Sequence, residues 1–130
     1  MEEPEQFYQS GSSFGHFLKQ LGNYPADRLN ETIPDFHNTV KRFQAFETAL
    51  QRDLKDRAAS CRPEIRFILE REKDCEVLVK KQEEGVLPLR VTHNDTKLNN
   101  ILFDSKTGRG LCIIDLDTIM PGLAANDFGD

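Results

Sequence analysis

The informative stretch is Val91-Thr92-His93-Asn94-Asp95-Thr96-Lys97-Leu98-Asn99-Asn100-Ile101-Leu102-Phe103. Apolar residues flank it on both sides, and within it His93, Asp95 and Asn100 follow the pattern His-x-Asp-x-x-x-x-Asn. The four residues between Asp95 and Asn100 let the chain turn back, so that a carboxylate and an amide face the same ligand. His93 is placed to brace such a loop from behind by hydrogen bonding.

The residues C-terminal to this loop strengthen the pattern. Asp104-Ser105-Lys106-Thr107-Gly108 reads as a hairpin turn joining strands Asn100–Phe103 and Gly110–Ile114. The second strand, Leu111-Cys112-Ile113-Ile114, is of buried type and runs into Asp115-Leu116-Asp117. A hairpin of this length carries Asp115 back beside Asn100. A loop aspartate, a loop asparagine, a hairpin and a strand-end aspartate are, in that order, the parts of a kinase catalytic loop and its metal site. Asp95 would accept or orient the proton of an attacking hydroxyl, while Asn100 and Asp115 would hold magnesium. Magnesium takes hard oxygen donors and keeps several waters, so an amide, a carboxylate and phosphate oxygens are enough for it.

Upstream, the chain changes character. Residues 1–86 are rich in Glu, Lys, Arg, Leu and Phe at helical spacing, whereas residues 87–130 are apolar, strand-like and broken by turns. Ser12 or Ser13 is expected to cap a helix carrying Phe14, Phe17, Leu18 and Leu21 on one face, with Gly22 as its stop. Tyr24–His37 reads as a loop held by Pro25 and Pro34, with one turn around Asp27–Glu31. Asn38 suits the N-cap of a long helix whose stripe is Val40, Phe43, Phe46, Leu50 and Leu54. Another helix starts near Pro63 with Ile65, Ile68 and Leu69 inward, and either breaks near Asp74 or runs to Glu84, with Gly85 ending it. Leu87–Thr92 is extended, and the chain after Asp117 is turn-like through Pro121-Gly122.

Composition excludes several classes. Charged residues make up 30% of 130, the net charge is −5, and no basic run occurs, which argues against nucleic acid or an anionic membrane surface as partner. An acidic chain repels a nucleoside triphosphate unless divalent metal intervenes, in keeping with the magnesium site. No apolar run has the length of a membrane span, and Met1-Glu2-Glu3-Pro4 is acidic rather than a cationic signal region. Cys61, Cys75 and Cys112 are widely spaced and odd in number; they read as ordinary thiols in a reducing cytoplasm, with Cys112 in the core.

Three stretches carry a family likeness: His93-Asn94-Asp95-Thr96-Lys97-Leu98-Asn99-Asn100, Ile114-Asp115-Leu116-Asp117-Thr118-Ile119-Met120-Pro121-Gly122 and Asp127-Phe128-Gly129-Asp130. Together they resemble the aminoglycoside phosphotransferase and choline kinase superfamily. Thr32-Ile33-Pro34-Asp35-Phe36-His37-Asn38-Thr39 is similar to the N-acetylhexosamine 1-kinases within it, so the resemblance covers most of Phe14–Asp130. It implies an α+β fold: the helical C-lobe portion of a protein-kinase-like fold with a small antiparallel β-hairpin. It also implies ATP as phosphoryl donor, Mg2+ as cofactor, and an acceptor that is the anomeric hydroxyl of an N-acetylhexosamine or another small hydroxylated molecule. By the same resemblance Asp95 is the base, Asn100 and Asp115 bind the metal, His93 is structural support and Lys97 is directed at the transferring phosphate. Asp127-Phe128-Gly129 spells a protein-kinase metal motif but lies too far beyond Asn100; Asp115 has the right distance, and Asp127 and Asp130 are assigned structural roles.

A kinase also needs a loop over the nucleotide and a lysine–glutamate pair from a small lobe. Gly11-Ser12-Ser13-Phe14-Gly15 is the one glycine-rich stretch, and its residues suit a helix start better. A chain of this length is about one domain, roughly half of a two-lobed kinase. The expectation is therefore a partial C-terminal lobe, inactive alone, with exposed core surface that favours self-association. Two rivals stand beside it. Ile113-Ile114-Asp115-Leu116-Asp117-Thr118 resembles the first motif of haloacid-dehalogenase-type phosphatases, with Asp115 as nucleophile and Asp117 as acid, although Ile119 stands where that family places its threonine. The charged helices alone would also suit a non-catalytic interaction module. His16 reads as a surface residue and His37 as a cap or loop-packing residue within reach of a sugar hydroxyl.

Overall fold

The computed structural model describes residues 4–130, so the acidic opening Met1–Glu3 lies outside the described residues. Compactness divides the chain into two units: the described residues up to Pro34 together with Pro88–Asp130, and Asp35–Leu87. Composition changes near residue 86, but space groups the first helix with the C-terminal segment.

That helix, α1, spans Pro4–Gln20 and starts well before Ser12 and Ser13. Neither serine is a cap. Ser13 lies inside the helix and its Oγ donates to the Gln9 carbonyl at 2.8 Å, the i−4 bond by which a serine satisfies itself in a helix interior. Glu5 in the first turn and Lys19 in the last complement the helix dipole. Gly11 and Gly15 are helical too, so this stretch forms no nucleotide-covering loop. The stop falls as expected, with the Gly22 N–H on the Lys19 carbonyl at 3.3 Å. Phe14 is buried and Phe17 half-buried.

In the unit Asp35–Leu87, α2 spans Thr39–Arg52 and is capped by Asn38, whose side chain accepts the Lys41 N–H at 3.0 Å. Phe43 is its buried residue, with Val40, Phe46 and Leu50 half-buried along the same stripe. The stripe does not reach Leu54: Asp53 turns left-handed and ends the helix, leaving Leu54 82% exposed. Helix α3, Arg62–Leu69, opens at Pro63 and half-buries Ile65, whereas Ile68 and Leu69 are exposed. The chain breaks at Glu70-Arg71, and α4 spans Glu72–Glu83 and packs on α2. Gly85, at φ +72°, ends it with the Val86 N–H on the Lys81 carbonyl.

The other unit carries β1 (Arg90–Thr92), β2 (Ile101–Phe103), β3 (Gly110–Ile113), β4 (Met120–Gly122) and α5 (Ala124–Gly129). The fold is α+β, with two antiparallel two-stranded sheets. β2 pairs with β3, Ile101 opposite Ile113 and Leu102 opposite Cys112. Asp104 closes their turn, its Oδ1 accepting the N–H groups of Lys106 at 3.0 Å and Thr107 at 2.7 Å, and Gly108 supplies φ +70°. β1 pairs with β4, Val91 opposite Pro121. Here the expected turn-like tail is instead a strand followed by a helix. Gly122 permits that pairing, because a Cβ there would run into Thr92 Oγ1 and Asn94 Oδ1.

Phe14, Val91, Ile101, Met120 and Leu123 form the core of this unit. Leu111 and Cys112 are not in it; both are exposed. β3 reads as a buried strand from its residues, but a two-stranded sheet offers an open face and an open edge, and α1 covers only part of it. Cys61 is likewise exposed and Cys75 half-buried. Among the described residues no helix is long and apolar enough to cross a membrane.

Candidate active site

β1 delivers the chain to His93, which is fully buried. Its Nε2 lies 3.1 Å from the Ile114 carbonyl, and because a carbonyl only accepts, Nε2 carries the hydrogen. Nδ1 is buried without a hydrogen-bond partner. Phe14 and Phe17 present their rings at 5.2 Å and 5.9 Å in edge-on contacts. His93 therefore touches no solvent and ties the loop to the residue preceding Asp115.

Asn94 turns left-handed at φ +67°, a conformation asparagine tolerates better than most residues. Its Nδ2 donates to the Thr118 carbonyl at 2.9 Å, and Thr92 Oγ1 lies 2.9 Å from its Oδ1. Thr118 Oγ1 in turn donates to the His93 carbonyl at 2.7 Å. The buried carboxylate of Asp127, on α5, accepts two backbone N–H groups, from His93 at 2.8 Å and Asn94 at 2.7 Å. The Thr96 N–H goes to Asp130 Oδ2 at 2.6 Å, and its hydroxyl to the Asp127 carbonyl at 2.8 Å.

Held this way, the loop presents Asp95 at the surface of the unit, its side chain 26% exposed. Lys97 Nζ donates to Asp95 Oδ2 at 2.6 Å and Asn100 Nδ2 to the same oxygen at 2.7 Å. Lys97 holds the Asp95 carboxyl below the usual carboxylate range, with Asn100 adding to the effect and partial burial opposing it. Asp95 in turn raises the Lys97 ammonium above its ordinary value, and the charges of Asp115 and Asp130 act on it in the same direction.

Asn100 has a second anchor: its Nδ2 also donates to the Asp95 main-chain oxygen at 2.8 Å. With both amide hydrogens committed to Asp95, its Oδ1 is the atom left to act as a ligand. The Asn100 carbonyl accepts the Ile114 N–H at 2.9 Å, which extends the hairpin by one pair and places Asp115 directly after it. Asp115 is exposed and left-handed at φ 62°, ψ 63°. A non-glycine residue held in that region is strained, and such strain collects at functional sites.

Asp95, Lys97 and Asn100 thus form one hydrogen-bonded set, Asp115 acts on it electrostatically, and His93 lies behind it. Asp117 is exposed. His16 is exposed on α1, and His37 belongs to the unit Asp35–Leu87, its ring against Phe36 at 4.7 Å. Among the described residues no three His, Cys, Asp or Glu gather as a metal cluster. The donor set of Asn100 Oδ1 and the Asp115 carboxylate fits magnesium, which needs few protein oxygens when phosphates supply the rest. A groove of about 400 Å3 opens beside Lys97, with Phe14, Leu98, Phe128 and Asp130 among its walls.

Sequence reasoning passes over Thr92, Thr96 and Thr118, whose hydroxyls hold the loop. No local signal distinguishes them, because each also bonds a main-chain carbonyl more than twenty positions away. Gly122 does carry a signal, but a glycine after proline suits a turn as well as a close strand pairing.

An α+β unit presenting an aspartate, a lysine and an asparagine on one loop is the frame of a phosphoryl-transfer protein. A family model described as a phosphotransferase enzyme family, APH, matches residues 1–130, and the chain belongs to that family. The aminoglycoside phosphotransferase and choline kinase superfamily is therefore its wider group, and small-molecule phosphoryl transfer the family's chemistry.

Proposed function

We propose that this chain carries the catalytic loop and metal-binding hairpin of an ATP- and Mg2+-dependent kinase whose acceptor is the anomeric hydroxyl of an N-acetylhexosamine. The carrying observation is the shared hydrogen-bonded set at one carboxylate: Lys97 and Asn100 both on Asp95 Oδ2, at 2.6 Å and 2.7 Å. With Oδ2 so occupied, Oδ1 is the atom left to receive an acceptor hydroxyl. Two donors, one of them the Lys97 ammonium, make Asp95 a weak base, so its work is to orient the hydroxyl and to take the proton late. That suits phosphoryl transfer, in which positioning and charge neutralisation supply most of the rate.

Lys97 is bound to Asp95 and close enough to Asp115 and Asp130 to feel both charges. A phosphoryl group arriving at the Asp115 side can draw this ammonium toward it. Asn100 Oδ1 and the Asp115 carboxylate are the protein ligands for the metal, and His93 fixes the hairpin that carries Asp115. When bound, magnesium would neutralise the β- and γ-phosphates. Support for a hexosamine acceptor comes from the Thr32–Thr39 segment, which is similar to the N-acetylhexosamine 1-kinases. In this reading the described residues form no small lobe over the nucleotide, and the location is the cytoplasm.

The test uses the full-length protein that carries this chain. ATP consumption is measured against N-acetylhexosamines, hexoses, choline and aminoglycosides, first in the native protein and then in Asp95→Asn. The expected result is turnover on an N-acetylhexosamine that falls by about three orders of magnitude in the variant, with nucleotide affinity nearly intact. A variant keeping more than about a tenth of the activity removes Asp95 from the reaction.

A further inference from the structure

Of the backbone N–H groups from His93 to Thr96, three end on carboxylates at the C-terminal end of the chain. Those of His93 and Asn94 go to Asp127, and that of Thr96 goes to Asp130. The two carboxylates differ in what they grip. Asp127 holds the entry to the loop, ahead of Asp95. Asp130 holds the peptide between the two charged residues, because Thr96 stands between Asp95 and Lys97. The Asp130 N–H is bonded to the Asn126 carbonyl at 3.1 Å, at the end of α5. Thr96 is buried and doubly tied, its hydroxyl also on the Asp127 carbonyl at 2.8 Å.

Asp95 and Lys97 flank Thr96 in the chain, so a rotation of the peptide that joins Asp95 to Thr96 would swing their side chains apart. In the structure the two are in contact, Lys97 Nζ donating to Asp95 Oδ2 at 2.6 Å. The peptide carries a single N–H, and Asp130 takes it. We infer that Asp130 is a positioning residue for the phosphoryl-transfer loop, accepting the Thr96 N–H so that Asp95 and Lys97 are presented together to one ligand. The inference rests on the reading of Asp95 and Lys97 proposed above. The Asp130 charge also acts on Lys97, in the direction that favours its ammonium form.

The experiment compares Asp130→Ala, Asp130→Asn and Asp130→Glu in the full-length protein. Steady-state kinetics and amide hydrogen exchange at Thr96 are the readouts. Asp130→Ala should lower kcat by about tenfold or more while ATP KM stays within about twofold, since misplacing a loop by a fraction of an ångström acts on the reacting geometry. Thr96 exchange should quicken by about tenfold in the same variant. Asp130→Asn keeps an oxygen that accepts the Thr96 N–H, and should restore both kcat and Thr96 protection to within about threefold. Equal kcat in Asp130→Ala and the native protein overturns the inference, as does a kcat loss that follows ATP KM or that Asp130→Asn does not rescue together with Thr96 protection. If Asp130→Ala does not fold, Asp130→Glu decides. A folded Asp130→Glu protein with kcat down by about tenfold supports the role, and unchanged kcat removes it. An active Asp95→Asn protein would instead overturn the kinase reading; Thr96 exchange then still decides whether Asp130 holds the loop.

Discussion

The backbone N–H of Ile114 donates to the carbonyl of Asn100 at 2.9 Å, and the residue after Ile114 leaves the strand in a left-handed turn. This one bond brings the two positions assigned to the metal, Asn100 and Asp115, to within one residue of a shared pair, although the hairpin separates them in sequence. It also bounds Asp115, which must reverse direction at φ 62° immediately afterwards.

Asp115 is therefore held in a conformation that an L-residue adopts at a cost of about 1 kcal/mol, which glycine escapes. Asp115→Gly is expected to be as stable as the native protein or more so, and Asp115→Ala less stable by about 1 kcal/mol. Both should abolish phosphoryl transfer and magnesium-dependent nucleotide binding in the full-length protein. Urea unfolding paired with a magnesium titration checks this; a glycine variant that is both less stable and still metal-dependent would contradict it.

Lys97 governs how Asp95 titrates. Its ammonium is the first cause of the depressed Asp95 carboxyl, so the folded chain binds that proton more weakly than the unfolded chain. The associated stability is complete above the ordinary carboxyl pKa of about 4 and fades as pH falls through the lower folded value. Lys97→Met should raise the Asp95 pKa and move the acidic limb of the full-length enzyme's kcat/KM to higher pH. The difference in urea midpoint between Lys97→Met and the native protein should shrink toward about pH 2. A difference as large there as at neutral pH would show that the lysine acts through packing instead.

Asp127 is buried and accepts two buried backbone N–H groups. Asp127→Ala leaves both unsatisfied, at about 1–3 kcal/mol each, so a loss of several kcal/mol is expected. Asp127→Asn is not a remedy, because its NH2 must face one of the two donors. Thermal or urea unfolding checks this, and a loss below about 1 kcal/mol in either variant would mean that water replaces the carboxylate.

Gly122 sits where β4 passes Thr92 and Asn94. Gly122→Ala should drive a methyl into those polar atoms, push the β1–β4 pair apart and cost about 1–3 kcal/mol. Gly15→Ala is the natural control, since a Cβ there meets nothing and replaces glycine within a helix. It should stabilise by about 0.5–1 kcal/mol. Equal effects of the two substitutions would remove the steric argument.

The hairpin, the N-cap at Asn38 and the loop that carries Asp95 were legible at once, because each is written in neighbouring residues. A turn rich in Asp, Thr and Gly, an asparagine before an apolar stripe and a fixed His–Asp–Asn spacing all act over a few positions. The sequence misplaced the start of α1 because Ser12 and Ser13 look like caps locally, whereas serine can also bond back to its own helix. Long-range packing alone makes Pro121-Gly122 a strand, turns Leu111 and Cys112 outward, and brings Asp127 and Asp130 onto the N–H groups of the loop. Those outcomes depend on partners more than twenty positions away and on how much surface a two-stranded sheet can cover. A chain's local pattern does not record which remote group will occupy a given hydrogen bond.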